Sequence, residues 1–224
     1  MEIFISIDGV VRNTIQKFDY HYNDAYLSSE FENPDNFQYG VTEPIQNNNL
    51  LDSYSFQSKE EFEYFLFIEY PIEIFGHAGL SYSTTFTDLN KLIYENPEHN
   101  FTLIGCDELG KAKPASLFFL SKNGFLGNSI KFIKSDDIQS TWNMCDVWIT
   151  DNEMILNSCP ENKSAIKFKT TYNQYFTYKK EITKLTEIQE PWLKSLENPT
   201  TLTLTESQKN VEQEEQYQTK TEEK

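Results

Sequence analysis

Apolar residues fall along this chain in short runs whose rhythm changes from one segment to the next. The first run, Ile3-Phe-Ile-Ser-Ile7, is continuous, rich in β-branched residues and stops at Asp8-Gly9. That pattern predicts a short buried strand over residues 3–7 that delivers a carboxylate to the edge of a sheet. From Arg12 to about Gly79 the pattern loosens, with turn clusters at Asn33-Pro34-Asp35-Asn36 and Asn47-Asn48-Asn49. Within it Ser58-Lys-Glu-Glu61 suits a helix N-terminus, and Phe62, Phe65, Leu66 and Ile68 follow at helical spacing.

After Gly79 the rhythm becomes regular. Ser83 or Thr84 suits the cap of a helix through Leu89, Leu92 and Ile93 that ends by Asn96-Pro97. Phe101–Ile104 reads as a strand ended by Gly105, and Pro114 as the first turn of a helix stopped by Asn123-Gly124. Ile130–Ile133 is a further strand, Ser135-Asp-Asp137 opens a helix through Trp142, and Val147–Ile149 and Ala165–Phe168 complete the set. Short apolar strands alternating with helices predict a three-layer α/β domain, Rossmann-like, with a central parallel sheet and helices on both faces. The core is expected over 1–13 and 79–190, with a mainly helical insertion over 14–78. Residues 191–224 are Thr-, Glu-, Gln- and Lys-rich and are expected to be a disordered acidic tail.

Composition narrows the partners. The formal charge of −16 opposes a general affinity for nucleic acid or for an anionic membrane. The most apolar window, Phe62 to Phe75, is broken by Glu63, Glu69 and Glu73 and is too short to span a bilayer. No signal peptide is visible, and Cys106, Cys145 and Cys159 form no CxxC pair, so a reduced, cytoplasmic protein is expected. Abundant Asn, Ile, Lys, Phe and Tyr match AT-rich codons and suit a phage genome.

Ligands of an open α/β sheet bind beyond the carboxyl ends of its strands. The residues there are Ser6 and Asp8, then Gly105, Cys106 and Asp107, then Lys134 and Asp151. Asp8 and Asp151 together have the oxygen chemistry of a Mg²⁺ site, although strand-end acids also serve as helix caps. His77, between glycines in Phe75-Gly-His-Ala-Gly79, and Tyr20, Tyr22 and Tyr26 with Phe18 are weaker candidates, better suited to structural roles.

The order of a strand ending in Asp-Gly-Val, a long insertion, strand, Lys-Pro helix, strand, helix and Val147-Trp-Ile-Thr-Asp151 resembles the haloacid dehalogenase-like superfamily. Within it the chain is most similar to small 5′-nucleotidase-type phosphatases. The resemblance spans residues 1–175 and is most specific in Ile3–Asn13 and Asp146–Asn152. It implies a nucleophilic aspartate at the position of Ser6, an acid/base at Asp8 and a phosphate-holding hydroxyl at Gly105 or Cys106. It also implies a lysine clamp at Lys113 or Lys134 and Mg²⁺ held by Asp8 and Asp151. The nucleophile and the hydroxyl are both substituted. Two functions are therefore expected as alternatives. One is a HAD-like protein without phosphoryl transfer that binds a protein partner or a phosphorylated small molecule. The other is a surviving Mg²⁺-dependent phosphatase acting on nucleoside monophosphates, with water attacking in place of the missing side chain.

Overall fold

A computed structural model of the protein describes residues 1–28, 36–45, 49–188 and 193. Met1–Glu187 form one compact unit of the chain, distinct from the unit that begins at Ile188. The predicted turns at 33–36 and 47–49 and the predicted tail at 191–224 fall, but for Asn36, Asn49 and Leu193, outside the described residues.

The centre is a six-stranded sheet. Its strands are β1 (Glu2–Ser6), β4 (Asn100–Cys106), β5 (Ile130–Ile133), β6 (Val147–Thr150), β7 (Ser164–Phe168) and β8 (Glu181–Ile182). They lie in the order β5-β4-β1-β6-β7-β8, and each neighbouring pair is parallel. Strands buried on both faces read as unbroken apolar runs, which is why β1 and β6 are legible in the sequence. On one face Phe4, Ile104, Trp148 and Ala165 pack with Ile138 and Trp142 of α6 (Ile138–Trp142) and with Ile155 and Leu156 of α7 (Glu153–Asn157). By strand alternation Ile3, Ile5, Leu103, Val147 and Ile149, all buried, face the other side. Helices α4 (Thr85–Glu95) and α5 (Lys113–Lys122) meet through Phe86 and Phe119, whose rings lie 5.7 Å apart.

The chain leaves β1 toward β4 on one side and later leaves β6 toward β7 on the other. The strand order therefore reverses between β1 and β6, and a crevice opens beyond their carboxyl ends.

Residues 14–78 are inserted between β2 (Arg12–Asn13) and β3 (Gly79–Leu80), a small antiparallel pair that pins both ends of the insertion. The insertion is helical: α1 (Ile15–Tyr22), α2 (Leu50–Ser53), α3 (Lys59–Tyr64) and π-helical turns at Asn23–Leu27, Phe65–Glu69 and Ile72–Gly76. Ser58 caps α3 as its sequence position predicts, its hydroxyl accepting the Glu61 N–H at 3.1 Å. The π-helical turns are not legible in the sequence, because the apolar residues after Phe62 follow ordinary helical spacing. Phe18 and Tyr22 are core residues of this insertion, ringed by Tyr54, Phe56 and Phe65 at centroid distances of 4.8–6.3 Å. Tyr20, grouped with them by sequence, is instead 62% exposed.

Three further expectations change. Gly105 does not end its strand: β4 runs on through Cys106, and a Cβ at Gly105 would lie 2.8 Å from the Phe132 ring. The helix after Ser135 begins as a 3₁₀ turn over Ser135–Asp137 before α6. Neither Ser83 nor Thr84 makes a side-chain cap on α4, since the Thr84 hydroxyl turns to the Asp88 carboxylate at 2.8 Å. Among the described residues no helix is long and apolar enough to cross a membrane.

Candidate functional site

The chain turns sharply after β1. Both Val11 N–H and Arg12 N–H return to the carbonyl of Ile7, and Gly9 N–H donates to Arg12 O at 2.9 Å. Gly9 has φ +77°, a conformation that side chains disfavour. It is also where Asp151 comes closest: a Cβ on Gly9 would fall 2.0 Å from the Asp151 Cγ. Ser81 in the loop after β3 donates to Gly9 O at 2.8 Å and holds the turn from outside. Glycine follows Asp8 because the backbone here must make room for the second carboxylate.

This turn brings Arg12 back onto Asp8. Nε donates to Oδ1 at 2.7 Å and Nη2 to Oδ2 at 3.0 Å, a two-pronged fork across the whole carboxylate. The guanidinium is fully buried, and Nη1 donates to Ser116 Oγ at 2.8 Å and to Phe75 O at 3.2 Å. Its carbon also lies 4.7 Å from the Phe75 ring centre, over the face of the ring. Asp8 is thus the counter-ion of a buried arginine.

Ser6 is also committed. Its hydroxyl accepts the indole N–H of Trp148 at 3.1 Å and donates to Thr150 Oγ1 at 2.9 Å. The residue is buried, and no base is bonded to it. A serine becomes a nucleophile when a neighbouring base takes its proton, and the partner that takes this hydrogen bond is another hydroxyl.

Asp151 lies at the end of β6, buried, and accepts a hydrogen bond from the Tyr172 hydroxyl. Burial, and then the charge of Asp151, hold the Tyr172 phenol well above its ordinary range, so it stays a donor. Asn173 Nδ2 donates to the Asp151 carbonyl at 3.2 Å. Asn152, the next residue, caps α7 through its side-chain oxygen, which accepts from Met154 N and Ile155 N.

The loop after β4 is governed by Asp107 and Glu108. Buried Asp107 accepts the N–H groups of Lys111, Ala112 and Lys113 at 2.9–3.1 Å and so caps the start of α5. Glu108 accepts the Ser135 N–H at 2.8 Å and the Cys106 thiol at 3.3 Å, tying the ends of β4 and β5 together. Cys106 is exposed, yet the concave wall around it, and then the charge of Glu108, push its thiol above the ordinary range. It is a poor nucleophile.

Two adjoining cavities meet over these strand ends. One lies over β1, β4, β5 and β6 and is lined by Ser6, Asp8, Cys106, Lys134 and Asp151 among others. The second lies between the strand ends and the insertion. Asp8, Cys106, Asp151 and Asn152 border both. Of the residues predicted from sequence, Ser6, Asp8, Cys106, Lys134 and Asp151 therefore gather at one place. Gly105 and Lys113 line neither cavity; Lys113 is exposed, with its ammonium 5.9 Å from the Phe132 ring centre. His77 packs its ring against Phe118, 5.4 Å away.

Comparison of the chain with protein-family profiles and with curated proteins finds no match. The site has to be read from its own chemistry.

That chemistry does not fit a resident Mg²⁺. Such an ion needs oxygen ligands whose lone pairs face it and bring net negative charge. Each Asp8 oxygen already takes a bond from the Arg12 fork, one Asp151 oxygen takes the Tyr172 hydroxyl, the Asn152 oxygen is used on α7, and the Ser6 hydroxyl is held between Trp148 and Thr150. Among the described residues no group of three or more His, Cys, Asp or Glu converges on a point. A guanidinium 2.7 Å from Asp8 already supplies that carboxylate with a positive partner.

Sequence reasoning missed three partners: Arg12, Thr150 and Tyr172. Arg12 carried a signal, since a basic residue four places after the strand-end acid can reach it across a tight turn. Tyr172 carried none.

Proposed function

We propose that this chain is a haloacid dehalogenase-like protein that no longer transfers phosphoryl groups and uses the crevice over β1 and β6 to hold a ligand, with the helical insertion as its cap. The observation that carries the reading is the fork of buried Arg12 across both oxygens of Asp8. In this class of enzyme the residue at that position passes a proton between leaving group and water. A carboxylate bridged on both oxygens by a buried guanidinium is committed as that group's counter-ion, and moving a proton on and off it would break the fork. Two residues earlier the nucleophile position holds a serine whose hydroxyl is bonded on both sides. The supporting features are the parallel sheet, the insertion bracketed by β2 and β3, and the convergence of Asp8 and Asp151 at the point where strand order reverses.

The test is phosphate release from AMP, other nucleoside monophosphates and an aryl phosphate in the presence of Mg²⁺. The wild type is expected to match the buffer blank. Ser6→Asp is expected to remain inactive as well, because Arg12 still holds Asp8. Turnover by the wild type that Asp8→Asn abolishes would overturn the reading and restore the phosphatase.

A further inference from the structure

The net charge hides a reversal of sign. Residues 163–184 carry six Lys and one acid, a local +5 in a chain of −16, which leaves −21 for the rest. The same stretch holds five aromatic residues, Phe168, Tyr172, Tyr175, Phe176 and Tyr178. It folds as β7, a loop over 169–180 and β8, at one outer edge of the sheet. Its single acid is shared, for Glu181 takes Lys167 at 3.1 Å through one oxygen and Lys169 at 3.3 Å through the other. Lys163 pairs with Asp146, and Lys184 stands near Glu187. Lys179 is exposed and forms no ion pair among the described residues. Burial, and then the charge of Lys179, hold the Lys180 ammonium below its ordinary range. A positive excess therefore remains on this face after its ion pairs are formed.

Lysines beside an edge strand deter unwanted strand pairing, but two features go beyond that duty. Tyr175, midway along the loop, is 64% exposed. A small pocket lies between the loop and the β2–β3 bracket, lined by Asn13, Ser81, Lys169, Thr170 and Thr171 among others. Lys169 is its one charged lining residue, whereas both crevice cavities carry carboxylates. Asn13 Oδ1 is buried and has no hydrogen-bond partner among the described residues. An unpaired buried acceptor is costly, and a ligand with an N–H or O–H group supplies the missing donor.

We infer that this face binds single-stranded nucleic acid. Phosphates meet Lys169 and Lys179, a base stacks on Tyr175, and a base edge or sugar hydroxyl donates to Asn13 in the pocket. A duplex keeps its bases stacked on one another and has none to lay on Tyr175. An acidic peptide answers the lysines, but its carboxylates bring no flat ring. The inference does not depend on what the crevice holds.

The experiment follows fluorescence anisotropy of labelled probes titrated with the full chain at low and at high salt. The probes are oligo-dT and oligo-U of about twelve nucleotides, a duplex of the DNA probe, and a polyglutamate peptide. The single strands are expected to bind at least about tenfold more tightly than duplex or polyglutamate, and to weaken steeply as salt rises. Lys179→Glu is expected to weaken them severalfold and to flatten the salt dependence. Tyr175→Ala is expected to weaken them about tenfold with the salt dependence kept. Both side chains are exposed, so neither change disturbs the core. Lys59→Glu, on the insertion, alters the net charge equally and is expected to leave binding unchanged. Duplex or polyglutamate binding as tight as the single strands overturns the inference, as does absence of binding at low salt. Single-strand binding that either Lys179→Glu or Tyr175→Ala leaves unchanged overturns it too, as does a loss in Lys59→Glu equal to that in Lys179→Glu. Phosphate release in the preceding test bears on the crevice and not on this face.

Discussion

The floor and the wall of the crevice are built by different physics. The floor is the ends of β1, β4 and β6, held by parallel ladders and by side chains with few alternatives. Ser6 has two hydrogen-bond partners, Asp8 has a fork, and Gly9 has no room for a Cβ. The wall is a set of helices of four to eight residues and three π-helical turns of five residues, joined by aromatic rings. Helices this short contribute little stability of their own, so the Phe18–Tyr22–Tyr54–Phe65 cluster carries the wall. The rigid side commits its polar side chains to one another. The insertion then sets the size and polarity of what enters.

The largest expected effect tests the wall. Phe18→Ala removes a fully buried ring that meets five other aromatic rings, and should cost about 3–5 kcal/mol in chemical denaturation. Amide exchange should rise over 15–28 and 50–76 while β1, β4 and β6 stay protected. Equal loss of protection across the sheet would show that floor and wall form a single cooperative unit.

The next tests the floor. Asp8→Ala strips the counter-ion from buried Arg12 and should cost about 2–3 kcal/mol, toward the low end for buried pairs because Asp8 itself is 30% exposed. A catalytic acid with no structural duty would be lost at almost no cost, so a stable Asp8→Ala protein would undo the contrast.

The smallest concerns the opposite end of the sheet. Asp146 accepts the Glu2 N–H at 2.9 Å and the Lys163 ammonium at 3.2 Å, and these bonds, the backbone one foremost, hold its carboxyl below the usual range. A carboxyl depressed in the folded state adds stability above its unfolded pKa of about 3.9, and that stability is lost as pH falls through the lower folded value. Asp146→Asn should flatten this acid limb by under about 1 kcal/mol, since the side chain is 48% exposed and screened. Urea midpoints between neutral pH and about pH 3 would measure it. An unchanged limb would assign acid sensitivity to other carboxylates.

Much of the sheet is legible in the order of residues alone. β1, β4, β5, β6 and β7 each carry a run of apolar residues, and α5 carries its Lys-Pro start. The two-residue strands β2, β3 and β8 leave no pattern long enough to read. At the site, Asp8 and Asp151 stand out because each ends a run of apolar residues. Between Lys113 and Lys134 the sequence does not choose, because the position of a long flexible side chain on a helix does not say where its ammonium goes; in the structure Lys134 lines a cavity at the strand ends and Lys113 does not.

The opening strand, its Asp-Gly end and the alternation after Gly79 determined the α/β sheet and the location of the crevice. These are local properties, fixed by burial of successive residues in one segment. What Ser6 and Asp8 do there was decided only by tertiary structure. Ser6 is held by Trp148 and Thr150, more than 140 positions away, Asp151 by Tyr172 across 21, and the Arg12 fork is buried by Phe75 and Ser116. A carboxylate can serve as acid, metal ligand or counter-ion, and the partner that desolvates beside it determines which.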